Sequence, residues 1–141
     1  MNKWAIVGVL TSLLIQPSYA KQVITEQRQQ LFEHIENNVE LLEDRVDEGD
    51  WPQVANLALK LEQDVIQLKK LFPKSSKGEG RSKNKIWQDW KNFDYRLTQW
   101  SLSFKHLATV SETENGQRIE NALDTATSAC RSCHMKYRSL W

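Results

Sequence analysis

Between residues 86 and 107 the chain reads IWQDWKNFDYRLTQWSLSFKHL. Its large apolar residues, Ile86, Trp90, Phe93, Leu97, Trp100, Phe104 and Leu107, recur at spacings of four and three. That spacing keeps them on one side of a helix, and the seam is of the kind found in left-handed helical bundles. A helix with one apolar seam must bury it against others, so the same pattern should recur elsewhere in the chain.

It recurs three times. Leu31, Ile35, Val39, Leu42 and Val46 predict a first helix over 25–47, which Gly49 stops. Asp50 with Gln53 reads as a capping pair and Pro52 suits a first turn, so a second helix follows with Val54, Leu57, Leu61, Val65 and Leu68, ended by Phe72-Pro73. The stretch KSSKGEGRSKNK, 74–85, has nothing apolar to bury and is expected to be solvated loop. After 86–107 the residues from Ser111 to Gly116 break the pattern, and Ile119, Ala122, Ala126, Cys130, Cys133, Tyr137 and Leu140 restart it. No alternating β-branched runs occur. Four amphipathic helices with mostly short connections predict an all-α, antiparallel up-down-up-down four-helix bundle.

The chain has 141 residues, enough for one domain with a core. Lys3, an uncharged apolar run over 4–15, Pro17 and the small-residue pattern Ser18-Tyr19-Ala20 read as a secretory signal peptide over 1–20, leaving a domain over 21–141. The competing reading, a membrane anchor, suffers because about a dozen apolar residues fall short of the roughly 20 a spanning helix needs. The location expected is therefore periplasmic, with no membrane attachment after cleavage. Without residues 1–20, which hold Lys3 and no acidic residue, basic and acidic residues are 18 each. That balance disfavours a nucleic-acid partner.

The only two cysteines stand in SACRSCHMKYRSLW, residues 128–141. A disulfide here would close a very small loop and stabilise little. Zinc would want a second ligand pair, and a thioredoxin-like redox pair belongs in a strand-containing fold. Cys130-Arg-Ser-Cys133-His134 instead matches the attachment sequence of c-type haem. Two thiols one helical turn apart add to two vinyl groups, and the next residue offers an imidazole to iron. Both cysteines fall on the inward seam of the last helix.

With this motif the sequence resembles the cytochromes c′, class II c-type cytochromes, over nearly all of 21–141. The likeness rests on Arg28, on LFP at 71–73 before a polar loop, on IWQDWKNF at 86–93 and on CRSCHMKYR at 130–138. It implies one haem c per chain inside the bundle, attached through Cys130 and Cys133 with His134 as proximal ligand. It implies contacts from Arg28 and Gln29 to the haem propionates; a buried carboxylate wants a bidentate cation, which arginine provides. It places Arg138 near the proximal face, where nitric oxide in the family displaces the histidine. Homodimers through the first two helices are common among such proteins, and Ala55, Leu59 and Ile66 lie off the main seam of the second helix.

The resemblance puts Phe32, four residues past Arg28, at the distal position. Phenylalanine cannot ligate iron, so a five-coordinate, high-spin haem is expected, with Leu31 as lid if the register slips by one. His34 lies about 200° around the helix from Phe32, and His106 and Met135 also read as surface groups. An apolar pocket offers no hydrogen-bond donor to bound oxygen, whereas carbon monoxide and nitric oxide need little such help. The expected function is a gas-binding haem protein that also exchanges electrons with periplasmic redox proteins. The alternative is a dedicated electron-transfer cytochrome with six-coordinate iron. An enzyme is not expected, because no distal His and Arg pair for peroxide cleavage stands near Phe32.

Overall fold

The structure, a computed structural model, describes residues 17–140. The leader expected over 1–20 lies outside the described residues except for 17–20, which continue the first helix. The elements are α1 (Pro17–Glu48), α2 (Trp51–Lys69), a 3-10 turn at Lys74–Ser76, the single turn α3 (Lys85–Gln88), α4 (Trp90–Ser111) and α5 (Gly116–Tyr137). Among the described residues no strand occurs, only a bridge between Ser82 and Arg138. No described helix is long and apolar enough to cross a membrane.

The first two helices meet in a tight corner that the sequence spells out. Gly49, at φ 71°, takes the left-handed conformation that a side chain resists, and Asp50 N–H reaches back to the Arg45 carbonyl at 3.0 Å. Asp50 then turns to cap α2, its carboxylate accepting from Gln53 N–H at 3.3 Å.

Cross-helix pairs fix the directions. Lys69 meets Asp94 at 2.9 Å and Lys105 approaches Glu62 at 4.0 Å, so α2 and α4 are antiparallel. The Trp100 indole donates to the Ala126 carbonyl at 3.0 Å and the rings of Phe93 and Tyr137 are 5.0 Å apart, so α4 and α5 are antiparallel as well. Arg28 reaches Leu71 while His34 reaches Asp64, which sets α1 against α2. The result is the expected four-helix bundle, in the ring order α1, α2, α4, α5. Its seam residues Leu42, Leu61, Leu68, Phe104, Leu107 and Ile119 are fully buried, each stabilising the fold by about 1.5–3 kcal/mol relative to exposure. The ring is tight everywhere except where α1 faces α5.

Four details depart from the sequence reading. α1 is already helical at Pro17 rather than beginning near residue 25, because no breaker stands between Pro17 and Gly49. The helix expected over 86–107 breaks at Asp89, whose backbone (φ −124°, ψ 43°) is not helical. Two tertiary ties offset the lost turn: the Trp87 indole donates to the carbonyls of Phe72 and Pro73 at 3.2 and 3.1 Å, and Asp89 accepts from Lys136 at 3.2 Å. The break also shifts the phase, so Trp90 is exposed while Ile86 and Phe93 stay buried. Leu140 lies past the end of α5 and is 80% exposed, outside the seam. Finally, the polar stretch 74–85 is not simply solvated, since Ser76 is completely buried within it.

Candidate haem site

The loose α1–α5 seam is where the motif residues gather. Cys130 and Cys133 are free, half-buried thiols on α5 packed against the core, and His134 follows on the exposed side. Phe32 of α1 faces His134 with ring centroids 6.3 Å apart at 64°. Leu31 is also half-buried against the core, but Phe32 is the residue that meets the imidazole. The excluded ligands stand elsewhere: His34 accepts from Asn38 and neighbours Asp64 on the α2 side, His106 is exposed on α4, and Met135 is 67% exposed.

Burial shapes the chemistry of these groups. Desolvation, opposed by the nearby Arg96 charge, pushes the Cys133 thiol up to about 11. Cys130 is raised chiefly by burial, with Glu36 and Glu43 adding to it. Both thiols are therefore protonated at neutral pH and slow to react as thiolates. In the apoprotein, iodoacetamide at pH 7.5 should label them on the order of tenfold or more slowly than a free cysteine, and faster as pH rises toward 11. Labelling as fast as free cysteine would mean that the seam is open to water. Burial, then Arg138, and weakly Arg81 lower the proton affinity of His134 against an opposing Glu36, so at neutral pH the imidazole is uncharged and keeps a lone pair for a metal.

Arg28 sits one turn before Phe32 and is only 3% exposed. Its guanidinium donates to the Leu71 carbonyl at 2.9 Å, to Ser82 Oγ at 2.8 Å and to Ser76 Oγ at 2.7 Å, and it lies 4.4 Å from the centre of the Phe72 ring. Burial lowers its pKa to about 10, with Glu79 opposing, which leaves it charged at neutral pH. None of these hydrogen-bond partners is an anion. Gln29, beside it, is exposed, and its amide nitrogen lies 3.7 Å from where a side chain on Gly80 would begin.

The loop that Arg28 grips is zipped to the residues after His134. Lys83 N–H donates to the Tyr137 carbonyl at 2.9 Å, Ser139 N–H donates to the Arg81 carbonyl at 2.8 Å, and Ser82 bridges Arg138 between them. Arg138 is exposed on the His134 side of the site, and its own N–H caps α5 by reaching the His134 carbonyl at 3.0 Å. Sequence reasoning missed Ser76, Ser82 and Arg81 here. The only available signal was that an inward arginine needs several acceptors, and serines in a polar loop can supply them.

A family model described as cytochrome C′ matches residues 23–138. The chain belongs to the cytochrome c′ family. No curated protein sequence matches it, but solved cytochromes c′ share its fold. An arginine-to-lysine variant from Alcaligenes xylosoxidans, ferrous with bound nitric oxide, superposes with a TM-score of 0.77 at 15% identity over 91% of this chain and 99% of that one. A leucine-to-glycine variant from the same organism with carbon monoxide bound gives 0.76 at 16% identity, over 89% and 98%. A cytochrome c′ described with ligand-controlled dimer dissociation gives 0.75 at 21% identity, over 84% and 96%.

Members of this family bind haem c, and the residues present suit it. Phe32 and His134 face each other across the seam in edge-to-face contact, ring centroids 6.3 Å apart, so the apolar ring and the imidazole would have to part to take a flat group between them. The adjoining buried guanidinium has two N–H groups beyond its three hydrogen bonds and no anion among its hydrogen-bond partners, which suits a carboxylate at the rim of such a group.

Proposed function

We propose that this cytochrome c′ is a periplasmic gas-binding haem protein with one open iron position. Thioether bonds from Cys130 and Cys133 hold one haem c per chain, His134 is the iron's protein ligand, and Arg28 with Gln29 anchors the propionates. Bound haem supplies an iron that can take up a diatomic gas or exchange one electron. The observation that carries the reading is the Phe32 ring opposite His134, 6.3 Å away, where a second ligand would otherwise stand.

Phe32 excludes water from that side and has no hydrogen bond to give. Nitric oxide and carbon monoxide tolerate such a lid, while oxygen does not gain the donor it needs. The ring must also move to admit a ligand, which costs packing energy. Arg138 keeps a positive charge beside His134 on the opposite face. Relatives described with nitric oxide and carbon monoxide bound support the gas-binding reading. A homodimer through α1 and α2 fits the exposed Leu41 and Leu59 and the half-buried Ala55 and Ile66, and one relative is described as dimeric. Secretion, with cleavage of residues 1–20, delivers the chain to the compartment where haem is attached, and the protein acts as a binder and electron carrier rather than an enzyme.

Absorption spectra test the core of this. The oxidised and reduced holoprotein should be high-spin; the ferrous form should bind nitric oxide, bind carbon monoxide weakly and form no stable oxygen adduct. A stable oxy spectrum, or a low-spin spectrum without added ligand, would overturn the reading.

A further inference from the structure

The charges of this nearly neutral chain, net +1 overall, are sorted by end. At the end formed by the α1–α2 corner and the α4–α5 link stand Asp44, Asp47, Glu48, Asp50, Glu112 and Glu114, against Arg45 and Arg118. The two links share that end, because a side chain on Gly116 would meet the Trp51 ring at 4.0 Å. At the other end the linking stretch 74–85 carries Lys74, Lys77, Arg81, Lys83 and Lys85 against Glu79. Residues 125–141 add Arg131, Lys136 and Arg138 and contain no aspartate or glutamate. The zipper between 81–83 and 137–139 joins these two basic segments into one face around His134.

Some of these cations are held in place. Lys83 Nζ donates to the Met135 carbonyl at 3.2 Å and Arg81 donates to the Leu140 carbonyl at 3.1 Å. Glu26, which lines one concavity with Glu79, and Glu36 and Asp89 are acids bordering this face, and Asp89 is engaged by Lys136. Within the basic rim, Met135 is 67% and Leu140 80% exposed. An apolar centre with a charged rim is the anatomy of a transient protein interface. Held cations also lose less side-chain entropy on docking.

We infer that this basic face, spanning 74–85 and 131–140, docks the carboxylate-rich surface of a protein redox partner. The inference rests on the haem reading above. Among the described residues this face carries two isolated apolar side chains and no amphipathic apolar stripe, a poor membrane anchor, so a protein is favoured over an anionic lipid surface. With net charge near zero, attraction comes from the end-to-end separation of charge, which orients the partner toward the His134 end as it approaches.

Charged reagents can read the local field. One electron leaves the ferrous iron of the holoprotein and reduces hexacyanoferrate(III) to hexacyanoferrate(II), or tris(phenanthroline)cobalt(III) to its cobalt(II) form. Raising ionic strength from about 10 to about 200 mM should slow the anionic reagent about tenfold and speed the cationic one. Lys85→Glu should flatten the anionic dependence, whereas Asp47→Lys, which also shifts net charge by two but at the far end, should leave it unchanged. Hexaglutamate should shift the backbone amide resonances of residues 77–85 and 131–138, with or without haem. Absence of covalent haem would defeat the functional reading and leave the hexaglutamate arm to decide this one. Salt-independent rates, equal responses in the two variants, or hexaglutamate shifts elsewhere would overturn the inference. Sedimentation with phosphatidylglycerol vesicles would overturn it in favour of a membrane surface.

Discussion

A Phe32→Met variant of the holoprotein is expected to convert from a high-spin to a predominantly low-spin spectrum and to bind nitric oxide at least tenfold more slowly. Phe32 projects from α1 at the His134 ring, and methionine in its place would direct a thioether sulfur along the same path. Sulfur is a ligand for haem iron that phenylalanine cannot be. An incoming gas would then have to displace a bound atom rather than push aside a ring. Folding should survive, since an exchange of similar apolar side chains costs less than about 1.5 kcal/mol. The apoprotein melting point is the control for that. If the variant keeps a high-spin spectrum while its melting point is unchanged, Phe32 does not face the iron, and the open-site proposal loses its main support.

What the sequence made legible follows a physical division. The seams at spacings of three and four could be read because helical period is a local property, and the Gly49–Asp50–Gln53 corner could be read because each residue there acts on its immediate neighbours. The Cys130–Cys133–His134 group was legible because its chemistry lies within five consecutive residues. The break at Asp89 was not legible: it depends on Trp87 reaching the end of α2 and on Lys136, 47 residues away, reaching Asp89. Nor was the burial of Ser76, since a serine in a lysine-rich stretch gives no sign of a guanidinium arriving from 48 residues earlier. Leu140 fits the seam by spacing alone, but the backbone leaves the helix after Tyr137 to pair with 81–83. In each case the decisive partner is distant in sequence.

That long-range dependence makes Arg28 the residue whose loss should spread furthest. Its three hydrogen bonds tie α1 to the end of α2 and to two of the loop's three serines, Ser76 and Ser82, and the loop is tied in turn to the residues after His134. Arg28→Ala removes the donor from three acceptors, two of them on side chains wholly or partly buried, and opens a void beside Phe72. Relief of the buried charge offsets part of this, which leaves an expected loss of about 3 kcal/mol. For a domain of this size that lowers the apoprotein melting point by roughly 10 °C. The effect should also be regional: amide exchange at Lys83 and Ser139 should accelerate more than exchange in the α2–α4 core. Arg28→Lys should recover only a minor part, because one ammonium cannot span three diverging acceptors as a planar guanidinium does. A melting point within about 2 °C of the parent in Arg28→Ala would show that the loop holds itself on the bundle. The two faces of the haem site would then be set independently, by α1 on one side and α5 on the other, rather than through one shared cation.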